Sequence, residues 1–188
     1  MKVRAGVAYV AALLMAACAS VPQAPRDPTA FDLLGRALVT YSGGALTANV
    51  RWEHGSDQDE IWLMTPTGQT LAHIVDSAQG AVLTRADQQQ YRAGNAETLT
   101  RQGLGWALPI GLLQYWVRGL PAPGASPTAV ERDASNRLLA LSQNGWRVAL
   151  TWNTPDSEHA GLVRRVDLKD GANEIRLVID TWRDTRRP

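Results

Sequence analysis

The chain has a single cysteine, Cys18, so no disulfide can form within it. Lysine occurs only at positions 2 and 169. Lys169 is followed by Asp170 and has no glycine-rich approach, which excludes a phosphate-cradling loop of the Walker type. Gly-x-Ser-x-Gly is missing, so no serine nucleophile is marked out. His54, His73 and His159 are scattered, and no pair has metal-ligand spacing; they read as satisfied surface or strand histidines. No apolar run reaches the roughly 20 residues of a membrane-spanning helix. Neither charge dominates: 19 basic residues face 18 acidic ones, which gives no pull toward nucleic acid. Phenylalanine occurs once but tryptophan seven times. Tryptophan supplies large, rigid apolar area with a polar handle, suited to a core or to the walls of a wide apolar cavity.

What is present begins at the N-terminus. Lys2 and Arg4 precede an apolar run from Gly6 to Leu14, and Met15-Ala16-Ala17 leads into Cys18. This is the layout of a secretory signal over 1–17. A cysteine at the first mature position points to a lipobox, in which the thiol is acylated and Cys18 becomes the lipid attachment site. The competing reading is an ordinary signal with an incidental cysteine. Removing 1–17 takes away Lys2 and Arg4 and shifts the formal charge from +1 to −1. Residues 18–30, rich in Pro, Ala and Ser, read as an acylated start and a tether. Residues 31–188 suit one domain.

Beyond Leu38 the texture is that of short strands. Leu46, Ala48, Val50 and Trp52 alternate with Thr47, Asn49 and Arg51. Glu60 to Met64 is a second strand, and Thr65-Pro66-Thr67-Gly68 fits a type I turn. Asp57, Asp59 and Glu60 lack the spacing of a calcium loop and read as a solvated turn. Gln69 to Val75, Ala81 to Arg85 and Gln89 to Arg92 continue a meander. The middle turns helical: Asn95 caps a helix to Gln102, and Pro109 opens another to Arg118 with Leu112, Leu113, Trp116 and Val117 on one stripe. Leu138 to Ser142 follows, then an Asn144-Gly145 hairpin signal. Trp146, Val148, Leu150 and Trp152 alternate with polar or small residues. Leu162 to Leu168 and Glu174 to Trp182 complete about ten or eleven strands, the pattern of a sandwich or barrel. A curled antiparallel sheet around one or two apolar helices satisfies both halves. Trp52, Leu63, Leu113, Trp116, Trp146, Val148, Leu150 and Trp152 are the candidate lining of an apolar cavity.

Gly105-Trp106-Ala107-Leu108-Pro109-Ile110 and Leu113-Gln114-Tyr115-Trp116-Val117-Arg118-Gly119-Leu120-Pro121 resemble the central signature of the LolB family of outer-membrane lipoprotein receptors. Phe31 to Arg36, Trp52, Leu63 to Gly68, Tyr91, Ser142 to Val148 and Ile179 to Trp182 agree in the same order. The resemblance implies an incomplete barrel whose helices cover an apolar cavity, a periplasm-facing lipid anchor in the outer membrane, and no enzymatic activity. It implies that the protein is a monomer with no cofactor and no metal. Its partners would be the periplasmic carrier LolA, the acyl chains of lipoproteins and outer-membrane lipid. Ala19, rather than an aspartate, follows the cysteine, which by the sorting rule of enteric bacteria is compatible with outer-membrane delivery. The resemblance further implies a membrane-insertion loop at Met64, Pro66, Thr67 and Gly68. Family members carry a leucine where this chain has Thr67, so Met64 or another residue takes the apolar tip or the insertion step is arranged differently. Two other classes remain open: an envelope hydrolase with a Ser or Asp/His pair around His159, and a passive structural lipoprotein.

Overall fold

The computed structural model describes residues 30–183. The signal segment, Cys18 and the tether up to Thr29 lie outside the described residues. Eleven strands and two helices follow in the order β1 (Phe31–Tyr41), β2 (Gly44–His54), β3 (Gln58–Met64), β4 (Thr70–Ser77), β5 (Gly80–Arg85), β6 (Gln90–Ala93), α1 (Ala96–Leu104), α2 (Ile110–Trp116), β7 (Thr128–Arg132), β8 (Leu138–Gln143), β9 (Trp146–Trp152), β10 (Val163–Lys169) and β11 (Glu174–Arg183). All strands lie in one antiparallel sheet ordered β6-β5-β4-β3-β2-β1-β11-β10-β9-β8-β7. It is not closed: β6 and β7 are its two edges. This is the expected incomplete barrel.

Two meanders meet at β1 and β11, the first and last strands in sequence, which pair in the middle of the sheet. The register shifts between Leu34 and Gly35, because Leu34 faces Thr181 while Gly35 faces Ile179. Asp180 is therefore the extra residue of a bulge. Arg36 grips it with two bonds, Nε to Oδ2 at 2.9 Å and Nη2 to Oδ1 at 2.8 Å. Gly35 is required there, since a Cβ would collide with the Val178 carbonyl oxygen.

The period-two pattern sends one side of nearly every strand inward. Leu33, Val39, Val50, Trp52, Ile61, Leu63, Ile74, Leu83, Val148, Leu150, Val166, Leu168, Ile175 and Leu177 form one buried cluster with the helices. Hairpins follow local chemistry. Asn144 (φ 51°) and Gly145 (φ 81°) both take the left-handed region, as a tight type I′ turn between β8 and β9 demands. Gly68 donates its N–H to the Thr65 carbonyl at 2.9 Å, as expected of the β3–β4 turn.

Three features differ from the sequence reading. The first strand starts at Phe31 rather than Leu38. β7 lies in a stretch to which the sequence assigns no element; all five of its residues are exposed, so it has no alternation to detect. Asp59 belongs to strand β3 and is buried, not solvated, because it is the hydrogen-bond partner of Trp52 and His54.

Gly35→Ala is expected to destabilise the fold by about 1–3 kcal/mol through the Val178 clash. Urea unfolding of the variant against wild type measures it.

Candidate functional site

The proposed lining residues come from three strands, β2, β3 and β9, and one helix, α2, and the fold brings them into one buried cluster. Trp52, Leu63, Leu113, Trp116, Trp146, Val148 and Leu150 are all buried, while Trp152 is partly buried. They belong to one hydrophobic cluster shared by the helices and the sheet. Two hollows lie away from these residues or at their margin. One of about 400 Å³ opens beside Leu38, Thr40, Arg147, Ala149 and Arg176 on the outer face. Another, of about 440 Å³, lies among Ser126, Thr128, Ser142, Asn144 and Asp170. Among the described residues, the lining candidates form one continuous buried apolar face beneath the helices.

Each helix covers the sheet by a different means. α1 packs on β4, β5 and β6. Asn95 caps it by accepting the Thr98 N–H at 2.9 Å, and Gly105 ends it in the left-handed region. Thr100 is fully buried; its hydroxyl accepts the Leu108 N–H at 2.9 Å and so fixes the connection to α2. α2 buries Ile110, Leu113 and Trp116 and ends at Trp116, two residues before the sequence estimate. Its polar attachment is Gln143 at the end of β8, a residue only 3% exposed. The Gln143 Oε1 accepts Trp116 Nε1–H at 3.1 Å and the Ala122 N–H at 3.0 Å. Its Nε2 donates to the carbonyls of Ala122 and Ala125, both at 2.7 Å. Those four bonds use the full capacity of a primary amide.

A second polar cluster sits at the opposite end of the sheet from the β3–β4 turn. Asp59 Oδ1 accepts Trp52 Nε1–H at 2.6 Å and lies 2.8 Å from His54 Nδ1. Phe31 stacks on His54 with ring centroids 4.8 Å apart and meets Trp52 edge-on at 5.0 Å. A hollow of about 200 Å³ opens beside His54, Asp59, Asp76 and Gln114. Burial, then the nearby charge of Asp59, pushes the Asp76 carboxyl above its ordinary range, against a backbone hydrogen bond from Ala96 that lowers it.

The β3–β4 turn is polar, and Asn49 of β2 donates its side-chain N–H to the Thr65 carbonyl at 3.3 Å. Pro66, Thr67 and Gly68 are exposed, whereas Met64 is half-buried at the end of β3. The Thr67 and Thr65 hydroxyls are 2.8 Å apart, and Thr65 Oγ1 also accepts the Gln69 N–H at 3.1 Å.

Residues 29–182 match the family model described as outer membrane lipoprotein LolB. The chain belongs to the LolB family. An outer-membrane lipoprotein LolB of Azoarcus sp. is 35% identical over 95% of this chain and 94% of its own. The Nitrosomonas europaea protein of the same name is 35% identical over 81% of this chain and 72% of its own, and that of Chromobacterium violaceum 32% over 91% and 94%. A solved putative lipoprotein-sorting domain from Vibrio parahaemolyticus covers 85% of this chain and 87% of its own, at 8% identity and a TM-score of 0.48. Membership in the LolB family makes this a lipid-anchored outer-membrane protein concerned with lipoprotein localisation.

The LolB signature segments now have structural meaning. Trp106, Leu108 and Ile110 of the first are buried between the helices, and Trp116 and Val117 of the second close over β8. The Ser142 to Val148 stretch carries Gln143, whose part was missed because a lone glutamine beside Asn-Gly reads as turn chemistry. The histidine singled out for the hydrolase alternative, His159, receives the Trp182 backbone N–H at 3.4 Å, and no carboxylate pairs with it among the described residues.

Because the folded state raises the Asp76 pKa, its ionisation works against the fold. The stabilising share is complete below the ordinary carboxylate pKa and is lost as pH rises through the raised one. Asp76→Asn keeps an acceptor for Ala96 and removes the charge beside Asp59. It should raise the melting temperature at neutral pH, with the difference shrinking to nothing in acid. Thermal melts of both proteins across the acid range measure this.

Proposed function

We propose that this protein accepts acylated lipoproteins from the soluble carrier LolA and delivers them to the inner leaflet of the outer membrane. The observation that carries the reading is the continuous apolar face of the sheet beneath two short helices. Exposing hydrocarbon to water costs about 0.8 kcal/mol per methylene, so a chain of roughly fifteen costs about 12 kcal/mol. Such a chain crosses the periplasm only from one covered site to the next. Outward displacement of α2 and the 117–126 segment would uncover Leu113, Trp116, Val148 and Leu150 together, and acyl chains would replace the helix against those residues. The packed state then protects the face when no cargo is bound. With no nucleotide-binding motif, direction comes from rising affinity along the route, ending in the bilayer. The role is transfer rather than catalysis.

Cys18 would hold the receiver beside its destination. Depletion of the protein in its own cells should leave lipoproteins in the periplasm bound to the carrier. Normal outer-membrane recovery of lipoproteins after depletion would refute the reading.

The insertion step is assigned to the exposed β3–β4 turn. Thr67 offers little apolar area and its hydroxyl is engaged by Thr65. Thr67→Leu adds a side chain worth roughly 1.5–3 kcal/mol when buried in lipid. Thr67→Glu adds a charge that resists desolvation. Transfer from the protein to liposomes should be maintained or faster with Leu and slower with Glu, while receipt from the carrier stays near wild type. Equal transfer rates for all three forms would remove the turn from the insertion step.

A further inference from the structure

Gln143 stands apart from every other polar side chain on the inner face. The segment from Gly105 to Ser126 contains α2 and the strap that follows it. Among the described residues, every hydrogen bond this segment makes to the sheet ends on the Gln143 amide. Apart from the Leu108 N–H bond to Thr100 of α1, the remaining attachment is apolar: Ile110, Leu113, Trp116, Val117 and Ala122 are buried against the core without directional bonds to the sheet. Such contacts allow the segment to slide and allow hydrocarbon to take its place. The amide does not. Its two N–H groups point at two carbonyls of the strap, and its oxygen takes one indole N–H from α2 and one backbone N–H from the strap. Displacing the segment breaks all four together, and it strands a buried amide together with the Trp116 N–H.

We propose that Gln143 is the latch of this cover: a positioning residue that acts through Trp116, Ala122 and Ala125 to keep the apolar face shut until cargo arrives. It rests on the reading of that face as the acyl-binding site. A closed cover lowers the apparent affinity for any acyl chain in proportion to the rarity of the open form. A weaker latch therefore gives faster and tighter capture, whereas ordinary damage to a binding face gives weaker capture.

The full-length chain in nanodiscs of one fixed lipid composition provides the test, with Gln143→Met as the variant of similar length and no hydrogen-bonding amide. Hydrogen exchange of residues 110–126 is expected to speed up about tenfold or more, with strands β1–β5 unchanged. Labelling of the inner face by photoreactive palmitate supplied on albumin is expected to rise severalfold. Unchanged exchange in 110–126 overturns the latch. So does faster exchange accompanied by equal or weaker labelling. Trp116→Phe removes one of the four bonds and keeps an aromatic ring; it should shift both readouts the same way by less, and it decides the matter if Gln143→Met does not fold. If the wild-type chain takes no palmitate label at all, the acyl-binding reading fails, and the exchange comparison still judges whether Gln143 holds the cover.

Discussion

The pairing of β1 with β11 is the constraint on which the rest of the structure depends. It is the sheet's one junction between the N-terminal meander, β1 to β6, and the C-terminal meander, β7 to β11. Each meander is built from local hairpins that cost little loop entropy to form. The junction is different, because it joins residues some 140 positions apart, such as Arg36 and Asp180. It succeeds because Gly35 lets the backbone of β11 come close, and because the bulge at Asp180 restores the inward alternation of Ile179, Leu177 and Ile175 against Ala37 and Val39. With the junction made, inner faces of both meanders become one surface. Leu150 and Val148 of one half then share a core with Trp52 and Leu63 of the other.

That shared surface is too wide for the sheet to bury alone, since β6 and β7 do not meet. The two helices lie in the connection between the meanders and cover what the open barrel leaves bare. α1 is bound to β4, β5 and β6 and to its own caps. α2 and its strap are held to the sheet by apolar contact and one glutamine. The difference divides the molecule into a fixed scaffold and a cover with a single polar fastening to the sheet, which is the arrangement that a reversible apolar site needs. Polar groups at the other end of the sheet, Trp52, Asp59 and His54 with Phe31 stacked over them, seal the scaffold where the chain enters it.

Much of this was legible in the sequence. The strands with clear alternation, such as Trp146 to Trp152, and the turns written in Pro, Asn and Gly were placed within a residue or two. β1 was seen late because Gly35 and Arg36 interrupt its apolar pattern, and the bulge they serve is a tertiary feature. β7 was missed because an exposed edge strand has no buried side to betray it. Periodicity placed the candidate lining residues on the buried side of their strands and helix, but it reports only which side is apolar, not what that side binds. Gln143 and Asp59 were out of reach for a common reason. A polar residue acquires its meaning from partners far away in sequence, Trp116 and Ala122 for one, Trp52 for the other.

The account stands on the inner face receiving acyl chains, and site-specific photocrosslinking tests that most directly. A photoreactive amino acid at Leu150, which faces the core, is compared with one at its neighbour Thr151, which faces out, each in the full-length protein during transfer of an acylated lipoprotein. The account predicts crosslinks to the lipid moiety from position 150 and none from 151, lost when a non-acylated form of the same lipoprotein is supplied. Crosslinks from 151 alone, or from 150 without regard to acylation, would contradict it.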